Sequence, residues 1–203
     1  MNLLQKLRKP YLSILLAALV ITPTLTSCSI DNDESKIENQ TVDMSKHLID
    51  FDELKVMAEN VKSIYLNNKL SRVSEDVTEQ QIKIALKPLT DNGMEIRNEL
   101  INTIDFTDEE LNEVSNLDDK QLAELSLAFN SIQGKADWST QDVVNCLGVA
   151  LGLNEIWGLI DNTAQLATVQ GTKKLLKLLA KRYLGWIGVA IAAYTFGDCM
   201  DAW

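Results

Sequence analysis

Hydrophobic residues recur at three- and four-residue spacing along most of the chain after residue 50, and this spacing predicts helices. No alternating pattern of the kind that is typical of half-buried strands competes with it. Of the three prolines, only Pro88 lies beyond residue 27, so long helices can form nearly everywhere. We therefore predict an all-α domain, a helical bundle of about 7–9 helices.

Several helix starts carry a capping signal, in which Ser, Thr or Asp is followed three residues later by an acidic or amide side chain. In such a pair each side chain can accept from a backbone N–H that the helix leaves without a partner. We expect the first of these helices to reach about Asn68. The pairs are Asp50 with Glu53, Thr78 with Gln81, Thr107 with Glu110, Asp118 with Gln121, and Ser139 with Asp142.

Breaks between helices are predicted where glycine follows turn-forming residues. The sequence Asp91-Asn92-Gly93 is expected to end the helix that starts at Thr78 and to separate it from the next one. Pro88 falls inside that first helix and is expected to kink it. Gly134 is expected to close the helix that begins at Asp118.

Two segments of the C-terminal half, Val143 to Leu153 and Tyr183 to Gly197, carry no charge. At about 11 and 15 residues, both fall short of the roughly 20 that cross a bilayer, which favours a central antiparallel pair inside a bundle over membrane-seeking helices. Small residues at four-residue spacing would let the two backbones approach closely. They are Gly148 and Gly152 in the first segment, and Gly188, Ala192, Ala193 and Gly197 in the second.

The N-terminus has the plan of a signal peptide, with Lys6, Arg8 and Lys9 preceding an apolar run from Tyr11 to Leu25. The run ends in Leu25-Thr26-Ser27-Cys28, which resembles the lipobox of bacterial lipoproteins. That resemblance implies cleavage after residue 27 and acylation of the Cys28 thiol, and several acyl chains would hold the domain at a membrane permanently.

The residues that follow Cys28, Ser-Ile-Asp-Asn-Asp-Glu-Ser, resemble the acidic export signal of surface lipoproteins in some Gram-negative phyla. The resemblance implies a bacterial outer-membrane lipoprotein, with the periplasmic and surface sides both open. The polar composition of residues 29–41 also fits a solvated tether. We divide the chain into a signal peptide (1–27), a lipidated flexible tether (28–42) and one helical domain (43–203), with an acidic half (43–138) and a hydrophobic half (139–203).

Two cysteines remain in the mature domain once Cys28 carries lipid. Cys146 lies near the start of the first uncharged segment and Cys199 just past the end of the second. Because exported proteins meet an oxidising environment, we predict a Cys146–Cys199 disulfide that locks the two helices antiparallel. Gly148 would then lie near Gly197, and Gly152 near Ala192 or Ala193. Two buried free thiols are the alternative.

Charge is distributed unevenly. Residues 29–142 hold 25 acids and 11 bases, a net charge of −14. Residues 143–203 hold 4 acids and 5 bases, a net charge of +1. The acidic half argues against nucleic acid as a partner. From Thr172 to Arg182 the bases flank four leucines, which predicts a basic amphipathic helix. Its face either pairs with the acidic half or contacts a membrane or partner. The candidate contacts are Lys173, Lys174, Lys177, Lys181, Arg182 and Trp186.

No segment carries a recognisable catalytic, cofactor-binding or metal-binding pattern. Residues 105–113 lack the glycine that a calcium loop requires, and the acids there suit the first turn of a helix. The only histidine, His47, is expected to be a solvated residue beside the tether, which leaves Ser and Cys without a base. We predict that the protein is not an enzyme and binds no cofactor or metal.

Three functions are consistent with these observations. The first is a lipid-anchored envelope domain that binds a protein or small molecule. The second is a membrane-active protein whose C-terminal hairpin loosely resembles the hydrophobic helices of bacteriocins. The third is an immunity or inhibitor protein that uses its acidic face against a basic partner.

Overall fold

The computed structural model describes residues 41–132, 139–152 and 167–200, which form eight α-helices after a short 3-10 helix at Ser45–His47. These residues contain no strand, only an isolated antiparallel bridge between Thr41 and Thr168. The all-α prediction and the expected helix count are therefore confirmed. The helices are α1 (Phe51–Leu70), α2 (Glu75–Ala85), α3 (Lys87–Thr103), α4 (Asp108–Ser115), α5 (Asp119–Ile132), α6 (Thr140–Leu151), α7 (Val169–Ala180) and α8 (Trp186–Cys199).

Several predicted features lie outside the described residues. They are the signal peptide, Cys28 and the tether as far as residue 40, the helix end at Gly134, and the segment between residues 153 and 166.

Capping at four of the five predicted helix starts is confirmed. Asp50 accepts a hydrogen bond from the Asp52 amide at the start of α1, and Ser139 accepts from the Asp142 amide at the start of α6. The reciprocal bonds expected of a capping box are present at α4 and α5. They join Thr107 with Glu110, and Asp118 with Gln121.

The prediction for Thr78 is wrong. It lies inside α2, which begins at Glu75, and its hydroxyl donates to the carbonyl of Ser74. The predicted break at Gly93 is also wrong, because α3 runs through it from Lys87 to Thr103. Pro88 sits in the first turn of α3, where its missing N–H costs nothing, so it marks a helix boundary at Leu86 and not a kink.

Gly93 instead allows α3 and α5 to pack closely. A Cβ atom added at this position would lie 1.9 Å from the carbonyl oxygen of Leu122, which is inside any real contact distance. Around this contact, Leu89 and Ile96 of α3 are buried in the same core as Leu125 of α5. The backbones of the two helices therefore touch, and only glycine fits there.

α8 lies at the centre of the domain and packs against α1, α2, α5 and α6. Cys146 of α6 and Cys199 of α8 are joined by a disulfide with a Cα–Cα distance of 5.6 Å, as predicted. Within the described residues, no helix has the length and apolar character needed to cross a membrane.

The glycines of the small-residue prediction differ in their burial. Gly148 and Gly197 are both buried. Gly152 is exposed and adopts a left-handed conformation with φ of 60°, so it ends α6 and does not contribute a helix–helix contact there.

The domain begins earlier than the predicted boundary at residue 43. Val42 is buried, and its amide donates to the carbonyl of Ala167. The chain is next held by a polar network, in which Asn130 accepts from the Ile49 amide and Asn92 donates to the carbonyl of His47. Ser126 and Asn130 both donate to the Asn92 side-chain oxygen, which joins α3 to α5.

Candidate functional site

The basic helix predicted near the C-terminus corresponds to α7 and the residues that follow it. Lys173 contacts the acidic half directly, since its ammonium group lies 2.9 Å from Glu110 Oε2 and 2.6 Å from the Asp105 carbonyl. It also lies over the ring of Phe106, at 5.3 Å from the centroid. This cluster ties α7 to the start of α4. Burial acts to raise the pKa of Glu110, but the hydrogen bonds from the Thr107 amide and from Lys173 outweigh it and lower the pKa.

The other candidate contacts do not form one surface. Lys177 and Lys181 are exposed and Lys174 is half-buried, and none of the three pairs with an acid in the described residues. Trp186 is only 8% exposed, because it is the first residue of the central helix α8, so it is not available to a membrane or partner in this fold. Arg182 turns inward.

Arg182 pairs with a carboxylate in the core. Its Nε lies 3.6 Å from Oε2 of Glu124, whose side chain is 0% exposed. Among the residues that the structure describes, neither Glu124 oxygen accepts a hydrogen bond and the buried Nη1 of Arg182 has no acceptor. Burial raises the pKa of Glu124 to about 7, with Arg182 opposing the shift and Asp118 adding to it.

Gln121 lies one helical turn before Glu124 and holds the backbone of the same segment. Its Nε2 donates to the carbonyls of Leu179, Ala180 and Arg182, which lie at and just past the end of α7. Two consecutive turns of α5 therefore fix the α7–α8 connector (residues 181–185). Gln121 binds its backbone, and Glu124 pairs with the side chain of Arg182.

This fixed connector forms one wall of a cleft of about 310 Å³. The ring of Tyr183 stands at the cleft with 93% of the residue exposed. The opposite wall comes from the end of α4 and the start of α5. The lining residues are Asn112, Glu113, Asn116, Asp118, Gln121, Ala180 and Tyr183, and we call this set the connector cleft.

Hydrogen bonds within the cleft wall keep it in shape. Asn116 donates to both the carbonyl and the side-chain oxygen of Asn112, and the capping box of Asp118 and Gln121 fixes the start of α5. The side chains of Glu113 and Tyr183 make no hydrogen bond or ion pair with any described residue, which leaves both available to a ligand.

A larger concavity of about 380 Å³ lies beside the short 3-10 helix, but its opposite charges are already paired. There the ammonium of Lys46 lies 2.7 Å from Glu99 Oε1. His47, expected to be solvated, is instead largely buried beside Glu95 and Glu99, at 3.5 and 3.9 Å. Across the residues that the structure describes, no group of three His, Cys, Asp or Glu side chains could hold a metal ion.

Sequence reasoning identified Arg182 but not its partner Glu124 or the exposed Tyr183. Glu124 interrupts the apolar face of α5, and that is the one signal in the sequence that could have marked it. No protein-family model matches this chain, and no curated protein or solved structure matches it either. The function must therefore be argued from the chain's own residues.

Proposed function

We propose that this protein is a lipid-anchored, non-catalytic binding domain of the bacterial cell envelope and that it binds its partner through the connector cleft. The lipobox-like sequence ending in Cys28 supports the anchor. The Cys146–Cys199 disulfide is consistent with the same compartment, because disulfides persist where the environment is oxidising.

Fractionation of cells that express the wild-type protein or Cys28→Ser tests the anchor. We expect the wild-type domain in the membrane fraction, resistant to extraction with high salt, because acyl chains and not charges hold it there. The Cys28→Ser protein should lose the lipid-dependent anchor. Equal membrane retention of both proteins through a high-salt wash would contradict lipid anchoring.

The observation that carries the binding proposal is the exposed ring of Tyr183 on a connector that Gln121 and Glu124 hold in place. A tyrosine presented on a fixed backbone is a typical centre of a binding surface, because its large area is offered at little cost in conformational entropy. The cleft beside it is at the small end of the volumes that ligands occupy.

A photo-crosslinking amino acid placed at position 183 in living cells tests this proposal. Val56 on α1 is 64% exposed and provides a matched control position far along the sequence. We expect a discrete crosslinked product from position 183 and none of the same size from position 56. The same products from both positions, or none from position 183, would contradict binding at the cleft.

The inhibitor function is the second candidate, and one observation favours it. The carboxylates of Glu113 and Asp118 line the cleft, and no lysine or arginine is among its described lining residues, which suits a basic partner. The membrane-active alternative receives no such support, because the α8 residues that would have to enter a bilayer are packed in the core. A dye-leakage assay on liposomes should accordingly show no release.

A further inference from the structure

The chemistry of the connector cleft indicates the class of group that it binds. Its lining offers carboxylate oxygens from Glu113 and Asp118 and side-chain oxygens from two asparagines, and its described residues include no cationic side chain. An anion would meet repulsion there. A cation would gain charge-assisted hydrogen bonds from the carboxylates, which are about twice as strong as bonds between neutral groups.

Glu113 is the carboxylate best placed to receive a ligand. It is half-buried at the end of α4 and pairs with no described residue. Asp118 is more committed, because its Oδ1 accepts from the amides of Lys120 and Gln121, and its Oδ2 lies 3.3 Å from Lys120 Nζ. A ligand would therefore bond chiefly to Glu113, because Lys120 offsets the charge of Asp118.

Tyr183 supplies the second element of the site. Its ring is free of side-chain partners among the described residues and borders the same cleft as Glu113. The faces of aromatic rings attract cations, and the protein already uses this contact where Lys173 lies over Phe106. A carboxylate and an open ring at one cleft match a planar cation, which can bond to the first and stack on the second.

We propose that the connector cleft binds a guanidinium group, presented as an arginine side chain by a basic protein partner, with Glu113 as its carboxylate and Tyr183 as its stacking surface. Arginine fits better than lysine because its planar fork bonds a carboxylate at two points and also stacks on aromatic rings. The inference rests on the proposed function, since it names the ligand of the same cleft.

Arginine amide is the probe that tests the proposal, with citrulline amide as a neutral probe of nearly the same shape. Both are titrated into the isotopically labelled mature chain carrying Cys28→Ser, with its disulfide intact, and binding is followed by NMR. We expect arginine amide to shift the resonances of Asn112, Glu113 and Tyr183 and citrulline amide to leave them unchanged. Lysine amide should bind more weakly than arginine amide.

Three variants locate the interaction. Glu113→Gln should weaken arginine amide at least fivefold, and Tyr183→Ala about threefold, whereas Tyr183→Phe keeps the ring and should bind nearly as well as the wild type. Glu59→Gln, an exposed acid on α1, makes the same charge change away from the cleft and should have no effect.

Equal binding of citrulline amide, or equal weakening by Glu113→Gln and Glu59→Gln, would overturn the proposal. Shifts spread over the acidic surface would do the same, because they would indicate diffuse attraction and not a site. If position 183 crosslinks a partner in cells but arginine amide does not bind, the binding function stands and only the ligand class is wrong.

Discussion

Glu124 and Arg182 form an ion pair, 3.6 Å between Oε2 and Nε, in which the carboxylate is completely buried and accepts no hydrogen bond from any described residue. Attraction to one guanidinium does not offset the loss of water around the charge, so burial raises the pKa of Glu124 to about 7. Glu124 therefore changes its charge in the neutral pH range, and it pairs with Arg182, the residue next to Tyr183.

We expect the wild-type protein to lose stability as the pH rises through neutrality. The folded-state pKa of Glu124 lies above its unfolded value, so the favourable contribution is full in acid and is lost as the pH passes about 7. Between pH 5.5 and 8.5 the loss should be about 2 kcal/mol in the free energy of unfolding. Denaturant titrations at a series of pH values measure it.

Glu124→Gln provides the control, because the amide keeps the shape of the side chain and removes its titration. Its stability should be nearly independent of pH over the same range. The carboxyls of Glu99 and Glu110, whose pKa values are lowered, stay ionised throughout and do not interfere. If Glu124→Gln kept the full pH dependence of the wild-type protein, the loss of stability would come from a group other than Glu124.

Gly93→Ala should destabilise the protein severely, by about 3 kcal/mol or more, because α3 and α5 must separate to admit the new methyl group against the Leu122 carbonyl. Gly188→Ala in α8 is the matched control. Its Cβ would lie 3.2 Å from the side chain of Leu184, which can move, and alanine favours helix, so little stability should be lost. Chemical denaturation compares the two; equal losses would contradict the packing role of Gly93.

Gly93 also shows where sequence reasoning reaches its limit. Local patterns predicted the helical class and most helix starts, because capping depends on residues a few positions apart. The same local reasoning assigned Gly93 to a turn, since a close approach to Leu122 is not visible from the neighbours of either residue. Pro88 was expected to kink a helix and instead lies in the first turn of one. Its neighbours do not distinguish the two cases, because the difference depends on whether the preceding residues belong to the same helix.

Removal of the disulfide should cost about 4 kcal/mol, because the bond between Cys146 and Cys199 closes a long loop. Unfolding of the Cys146→Ser/Cys199→Ser double variant, compared with Cys28→Ser alone, measures the loss. Cys28→Ser should leave the stability of the domain unchanged. The pairing itself could be predicted from the sequence because only two cysteines remained once Cys28 was assigned to lipid.

Asn130→Ala should destabilise the domain by about 2 kcal/mol, because it removes the acceptor of the Ile49 amide and a donor to Asn92 in a buried network. Asn67→Ala, at an exposed position on α1, should change stability by less than about 0.5 kcal/mol. Thermal unfolding distinguishes them, and similar losses at both positions would show that the network contributes little.

The candidate site was less predictable than the fold. The basic residues from Lys173 to Arg182 were expected to pair with the acidic half or to contact a membrane or partner, and Lys173 and Arg182 pair with Glu110 and Glu124 of the acidic half. Tyr183 is a candidate binding residue only because it lies in the connector, which Gln121 fixes by donating hydrogen bonds to three backbone carbonyls. Such a site depends on contacts between residues about 60 positions apart, which no local pattern contains.

The proposed membrane anchor depends on the chemical state of Cys28. Mass spectrometry of the mature protein extracted from bacterial membranes tests it directly. We predict an N-terminal peptide that begins at Cys28 and carries the added mass of a diacylglyceryl group, with or without a further acyl chain. A mature protein that retains residues before Cys28, or that carries an unmodified Cys28, would contradict lipid anchoring.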